Sequence, residues 1–404
     1  MIKRILYTLL IMFPVVASAQ INTDRVMAIG RNALYFEDYV LSIQYFNQVI
    51  NAKPYLSDPY FYRGLAKINL DDFQGAESDC SEAIERNPFV VSAYQVRGLA
   101  RIQQNNFAGA IEDYTKALEF DPENIGVWHN MALCRIRQED YKGAKNDLDK
   151  LIAISPRYTK AYLMRGEVDL KQKDTLAAEK DFGKAIEIDR YDADTWASRA
   201  ILRLQQQRYK DAEADFDHAI RLSTRNSGVY INRALARYHQ NNLRGAMSDY
   251  DIALDIDPNN FIGHYNRGLL RAQVGDDNRA IQDFNFVIEM EPDNMMAIFN
   301  RGLLLDQTGD YKGAIKDYST VINEYPNFLL GYQYRAQARR KIGDVKGADA
   351  DEFKVLKAQL DKQNGVDPNK QTADNTENNK TRKKSDKNMN NYRKIVVADN
   401  EEGE

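Results

Sequence analysis

The sequence repeats one 34-residue pattern ten times between Thr23 and Lys362, without an insertion or a deletion. The eighth residue of each copy is glycine or alanine, and the twentieth is alanine in every copy except the first, which has serine. A fixed period of this length is typical of a solenoid, in which each unit buries its apolar face against its neighbours. The sequence therefore predicts an array that grows lengthwise and binds other molecules.

A single copy has the pattern of a helical hairpin. In repeat 3, apolar residues recur every three or four positions from Tyr94 to Ile102 and again from Ile111 to Leu118. Polar residues separate the two segments, and Pro122 ends the second, because proline cannot continue a helix. The ten repeats are numbered in chain order as 23–56, 57–90, 91–124, 125–158, 159–192, 193–226, 227–260, 261–294, 295–328 and 329–362.

The offsets within each copy resemble those of the tetratricopeptide repeat. Repeat 3 shows them as Tyr94, Gly98, Ala110, Tyr114 and Pro122. Seven copies end with this proline, whereas repeats 5, 6 and 10 lack it. The resemblance implies an all-α fold, a right-handed superhelical solenoid of about ten tandem helical hairpins spanning residues 20–362. It also implies a protein or peptide ligand.

Residues 1–19 have the composition of a secretory signal peptide. Lys3 and Arg4 precede an apolar stretch from Ile5 to Val16, and Ala17–Ser18–Ala19 forms a cleavage site. The alternative is a membrane anchor, but twelve apolar residues are too short to span a bilayer. We expect an exported protein that is periplasmic, envelope-associated or secreted, with no transmembrane segment after cleavage.

Arginine and aspartate replace two apolar positions of the family pattern. The seventh position is arginine in eight copies, and the twenty-third is aspartate in nine. Repeat 1 lacks both, which indicates that the two positions touch across one hairpin. Repeat 4 has Met131 at the seventh position, with Arg135 one helical turn later, opposite Asp147. The arginines are either a cationic track for acidic ligands or a structural ladder, and the nearly equal supply of aspartate favours the ladder.

The resemblance also places a binding groove on the first helices of the repeats. Family members turn the fifth, ninth and twelfth positions into a concave surface, and here these positions are mostly apolar, which suits an extended segment or a partner helix. The alternative, that they only pack neighbouring helices together, stays open. The candidate partner-binding residues are Phe61, Leu65, Ile68, Leu99, Ile102, Leu133, Ile136, Ile201, Leu204, Ile231, Leu235, Tyr238, Tyr265, Leu269, Phe299 and Leu303.

The residue pattern argues against catalysis. It contains no nucleophile–base set, metal-ligand cluster or phosphate loop, so we expect no enzymatic activity, cofactor, metal or small-molecule substrate. Cys80 and Cys134 are separated by a whole repeat, which places them beyond disulfide distance and favours buried thiols. The net charge of −4 gives no support to a nucleic-acid partner.

Residues 363–404 form a polar tail that the composition predicts to be disordered. One apolar run, Tyr392–Val397, interrupts it. This run is a docking motif, a segment that folds back on the groove, or a neutral part of the tail. Export, repeats and tail together favour a non-catalytic protein–protein interaction scaffold in the cell envelope. The alternative is an architectural subunit of an envelope assembly or secretion complex.

Overall fold

The computed structural model describes residues 22–223, 225–364, 389, 391–396 and 398; the leader at 1–19 lies outside them. These residues contain twenty helices and no strand, which confirms the predicted all-α repeat of helical hairpins. None of these helices is long and apolar enough to cross a membrane. The helices are α1 Thr23–Tyr35, α2 Tyr39–Ala52, α3 Asp58–Ile68, α4 Phe73–Arg86, α5 Val91–Gln103, α6 Phe107–Phe120, α7 Ile125–Arg137, α8 Tyr141–Ile154, α9 Thr159–Lys171, α10 Thr175–Ile188, α11 Ala193–Gln205, α12 Tyr209–Leu222, α13 Ser227–His239, α14 Leu243–Ile256, α15 Phe261–Gln273, α16 Asp277–Met290, α17 Met295–Thr308, α18 Tyr311–Glu324, α19 Leu329–Lys341 and α20 Val345–Gln363.

The chain divides into two compact units. Unit 1 ends at Ile188 and contains α1 to α10; unit 2 begins at Asp189 and contains α11 to α20 together with the described residues of the tail. Within each unit, the two helices of a repeat pack against each other, and the second helix also packs against the first helix of the next repeat. The apolar face of each hairpin is therefore buried by its neighbours, as expected for a solenoid.

The hairpin turn has the same backbone conformation in every repeat. The fifteenth residue has a positive φ in all ten copies, from Glu37 to Gly343. Only the last three copies place glycine there; Lys173, for example, has a φ of 65°. The next residue, in eight of the ten copies, accepts a hydrogen bond from the backbone N–H three positions later. This contact caps the second helix.

The small eighth residue makes room for the aromatic residue of the second helix. A Cβ atom added to Gly98 would lie 2.7 Å from a ring carbon of Tyr114, closer than any real contact allows. Cys80 takes the place of the aromatic ring in repeat 2, beside Gly64. Both cysteines are buried free thiols, and burial raises the pKa of Cys80 to about 12. In most repeats the core thus depends on one small and one large partner.

The arginines and aspartates pair across the hairpins of repeats 2 to 10, as the sequence predicts. In repeat 7, Arg233 donates from Nε and Nη2 to the carboxylate of Asp249 at 3.0 and 2.6 Å. Its Nη1 donates at 2.7 Å to Asp217, on the second helix of the preceding repeat. The same link to the preceding repeat is made by Arg63, Arg97, Arg165, Arg267, Arg301 and Arg335. Each arginine therefore joins three helices, which supports the structural ladder over a cationic track.

Candidate peptide-binding groove

Three consecutive repeats of unit 2 carry asparagine at the sixth position. Asn232, Asn266 and Asn300 lie on α13, α15 and α17, and their exposed fractions are 0%, 0% and 5%. All three side chains meet the described part of the C-terminal tail, residues 389, 391–396 and 398, which we call the tail segment. The surface of α11, α13, α15 and α17 that it covers is called the tail groove.

Two of these asparagines each bind both backbone groups of one tail residue. Asn266 donates from Nδ2 to the Val396 carbonyl oxygen at 2.6 Å, and its Oδ1 accepts from the Val396 N–H at 2.8 Å. Asn232 makes the same pair with Ala398, at 2.8 and 2.9 Å. A side-chain amide has one acceptor and two donors, so it can reproduce the paired bonds that two strands exchange. This recognition does not read the side chain of the bound residue.

The third asparagine shares its backbone acceptor with a tyrosine. Asn300 Nδ2 and the Tyr265 hydroxyl donate to the Tyr392 carbonyl oxygen at 2.6 and 2.7 Å. Burial raises the pKa of Tyr265, so the phenol stays protonated and remains a donor. The carbonyl therefore receives two hydrogen bonds at this point.

These contacts define the direction of the tail segment. Ala398 lies at repeat 7, Val396 at repeat 8 and Tyr392 at repeat 9. The C-terminal end of the tail segment is therefore bound by repeat 7, the earliest of the three repeats. Residues 396 and 398 meet asparagines one repeat apart. Residues 391–393 instead form a turn, in which the Tyr392 N–H donates to the Met389 carbonyl oxygen at 3.2 Å and the Lys394 N–H donates to the Asn391 carbonyl oxygen at 2.7 Å.

Apolar side chains complete the contact. Ile395 is 9% exposed and packs among residues that include Leu204, Leu235 and Leu269. The Tyr392 ring meets Phe299 edge-on at 4.8 Å between ring centroids. Met389 and Ala398 are also buried against the repeats. A tail that composition alone predicts to be disordered is therefore placed against unit 2 by a few apolar residues and by backbone bonds.

The predicted groove residues divide between the two units. In unit 2, Tyr265 donates a hydrogen bond to the Tyr392 carbonyl oxygen. The others belong to apolar clusters that include a tail residue: Ile201, Leu204, Ile231, Leu235, Tyr238, Leu269, Phe299 and Leu303. In unit 1, Leu99 is exposed, and the others are half-buried: Phe61, Leu65, Ile68, Ile102, Leu133 and Ile136.

Sequence reasoning overlooked the sixth position. The signal is present in the sequence, because three asparagines stand 34 residues apart and a fourth, Asn130, has the same offset in repeat 4. No metal-binding group of three or more His, Cys, Asp or Glu side chains occurs among the described residues.

Family models described as tetratricopeptide repeat match residues 98–134, 125–158, 159–192, 198–261 and 265–327. The chain belongs to the tetratricopeptide-repeat family. The asparagines at position six therefore lie on three consecutive tetratricopeptide repeats.

Several solved structures are similar to this chain. A tetratricopeptide repeat protein from Parabacteroides merdae ATCC 43184 is 21% identical, with 62% of this chain and 98% of that chain covered and a TM-score of 0.48. YrrB, described as a TPR protein with an unusual peptide-binding site, is 20% identical, with 46% and 95% covered and a TM-score of 0.39. The Cut9–Hcn1 hetero-tetramer of the APC/C is 13% identical, with 72% and 57% covered and a TM-score of 0.47. No curated protein matches the sequence.

Proposed function

We propose that this protein is a non-catalytic interaction scaffold of the cell envelope that binds a peptide segment in the tail groove. The observation that carries the proposal is the double hydrogen bond from Asn232 and from Asn266 to single residues of the tail segment. Proteins commonly bind extended peptides through main-chain hydrogen bonds, while pockets between them select the side chains. Here the asparagines supply the main-chain bonds, and the apolar positions supply the pockets.

The backbone bonds and the apolar pockets have different roles. A hydrogen bond contributes about 1 kcal/mol net, so the asparagine bonds alone hold any extended chain weakly. Burial of an aliphatic or aromatic side chain contributes about 1.5–3 kcal/mol. The pockets beside Leu235 and Phe299, which receive Ile395 and Tyr392, therefore decide which segment binds.

Export to the envelope is supported by the leader pattern of residues 1–19. An array with an interaction groove and a polar tail fits a compartment in which partner proteins are gathered. The architectural alternative, a subunit of an envelope assembly or secretion complex, differs from the scaffold in one respect. Its partner would be held by other surfaces and would not depend on the asparagines.

The test is capture of partners from an envelope extract by the mature chain, beginning at Gln20. Because the tail segment covers the groove, one bait carries Tyr392→Ala/Ile395→Asp, which we call the released chain. A second bait adds Asn266→Ala and Asn300→Ala, and circular dichroism checks that its helix content is unchanged. The control bait adds Asn130→Ala, at the same repeat position in unit 1.

A partner held by the released chain and the control bait, but lost with Asn266→Ala and Asn300→Ala, supports the groove scaffold. Synthetic peptides from that partner then locate the bound segment. A partner retained by all three baits supports the architectural alternative. If no envelope protein binds any bait, the scaffold proposal is contradicted.

A further inference from the structure

We infer that the tail segment is a built-in competitor, and that the external partner presents a segment with the same spacing of apolar residues. The inference rests on the proposed function and specifies its ligand. The spacing is a large apolar residue, an aromatic residue, a branched aliphatic residue and a small residue, each three positions after the last. In the tail these are Met389, Tyr392, Ile395 and Ala398.

The seating of the tail segment follows this spacing. Met389, Ile395 and Ala398 are buried, and Tyr392 is half-buried against Phe299. Met389 and Tyr392 lie in the cluster around Phe328, Ile395 lies in the cluster around Leu235, and Ala398 lies in the cluster around Tyr230. A polar tail making arbitrary contacts would not bury every third side chain.

The tail residues between these four apolar positions place no requirement on the partner's sequence. Arg393 and Lys394 are exposed, and the Val396 side chain is 41% exposed although both of its backbone groups are bound. A partner can therefore carry other residues at these points. The groove selects spacing and apolar character and does not select a complete sequence.

Competition follows from the covalent link between ligand and groove. A segment on the same chain acts at an effective concentration on the order of millimolar. A partner present at about 10 μM must therefore bind roughly a hundredfold more tightly than the free tail peptide to displace half of it.

The fit of the tail leaves room for such a partner. A cavity of about 370 Å³ lies beside Ile395 and Arg393, with Leu269, Leu303 and Gln307 among its lining residues. A segment with a larger apolar side chain at this point would bury surface that the tail leaves uncovered. The tail is thus a ligand that a better-fitting segment can replace.

The test measures binding of a fluorescent synthetic peptide, residues Asn388–Asn400, to full-length chains by anisotropy. The proteins are the wild type, the released chain, the released chain with Asn266→Ala, and a control with Arg393→Ala/Val396→Asp. The control alters two tail side chains that are exposed. We expect the peptide to bind the released chain at least tenfold more tightly than the wild type and the control, and Asn266→Ala to weaken that binding.

Three outcomes would overturn the inference while leaving the proposed function intact. Equal affinity for wild type and released chain would show that the tail does not compete. Equal binding of a scrambled peptide would show that the spacing is not read. A dimer that dissociates in the released chain, detected by light scattering, would show that the tail binds a second copy. In contrast, a peptide that binds none of the chains counts against the proposed function itself.

Discussion

The side chain of Asn266 holds both backbone polar groups of Val396, 130 residues further along the chain, through hydrogen bonds of 2.6 and 2.8 Å. Asn232 repeats the arrangement with Ala398. The 34-residue period thus sets the spacing of backbone-binding amides along unit 2. The repeat that packs the helices therefore also places backbone-binding asparagines at regular intervals along the tail groove.

Amide hydrogen exchange can test, one residue at a time, which tail residue each asparagine binds. We expect Asn266→Ala to speed exchange of the Val396 amide, and Asn232→Ala to speed that of Ala398, each by roughly fivefold, because about 1 kcal/mol of hydrogen bonding is lost. Asn130→Ala serves as the control and should leave both amides unchanged. Rapid exchange of both amides in the wild type would contradict the observed seating of the tail.

The buried aspartate of each hairpin should be essential for stability. Asp215 accepts hydrogen bonds from Arg199 and Arg203 and is 3% exposed. We expect Asp215→Ala to lower the free energy of unfolding in urea by about 3 kcal/mol, since it removes the buried carboxylate to which Arg199 and Arg203 both donate. The matched control is Asp211→Ala on the same helix, whose partner Arg208 is exposed. A similar cost for both variants would argue against the ladder as a stabilising feature.

One inter-repeat ion pair has its charges exchanged. Glu77–Arg101 and Glu213–Arg237 join the twenty-first position of one repeat to the eleventh position of the next, at 2.8 and 2.7 Å. Repeat 4 joins repeat 5 at these same positions with Lys145 and Asp169, at 2.5 Å.

The exchanged pair predicts a compensating double substitution. Lys145→Glu alone places a second acid beside the buried Asp169 and should cost about 3 kcal/mol in urea unfolding. Adding Asp169→Arg restores the usual polarity, and we expect it to recover most of that loss, with a coupling energy of about 2 kcal/mol. For comparison, exchanging the exposed Lys184–Glu187 pair should show a coupling below about 0.5 kcal/mol. Purely additive effects at 145 and 169 would refute a direct interaction.

Residue 173 offers a route to stabilisation. Lys173 has a φ of 65°, in the left-handed region that costs a non-glycine residue about 1–2 kcal/mol. Lys173→Gly removes this strain but adds about 0.5–1 kcal/mol of unfolded-state entropy, so we expect a net gain of up to about 1 kcal/mol in thermal or urea unfolding. Gly309→Ala, at a φ of 93°, should have the opposite effect. Loss of stability with Lys173→Gly would show that the lysine side chain makes a compensating contact.

The buried carboxyl of Asp147 should make the free energy of unfolding depend on pH. Burial raises the pKa of this carboxyl to about 6, while Arg135, its hydrogen-bonding partner at 2.7 Å, lowers it less. In the unfolded chain an aspartate titrates near ~3.9, so the folded state binds the proton more tightly. The resulting stabilisation is fully present below about 3.9 and is lost as the pH rises through about 6.

The matched variant is Asp147→Asn, which cannot titrate. We expect the wild type to gain stability relative to this variant as the pH falls from 7 to 5, measured by urea unfolding at several pH values. A difference between the two proteins that does not change with pH would show that the carboxyl keeps an ordinary pKa. Met131 stands where most repeats have arginine, so Asp147 is paired with Arg135 alone, whereas Asp249 accepts hydrogen bonds from both Arg233 and Arg237.

Much of the fold could be predicted because a repeat expresses its packing rules ten times. Gly98 with Tyr114, and Arg233 with Asp249, are pairs within one hairpin, and their offsets recur in most copies. The substitution of both ladder positions in repeat 1 was enough to place them in contact. Local period and matched offsets therefore determine the hairpins and their internal pairs.

The candidate site was less accessible to sequence reasoning. The apolar positions of the groove could be selected by family resemblance. Asn266, however, acts through its hydrogen bonds to Val396, which lies 130 residues further along the chain. The local sequence of neither segment predicts this contact, because a hydrogen bond to the backbone places no requirement on the side chain of the bound residue. The sequence by itself determined the repeat, its hairpins and its ion-pair ladder, since these depend on short-range periodicity. Only the tertiary structure decided that Tyr392, Ile395 and Ala398 lie in the groove, because that contact depends on long-range burial and on backbone groups.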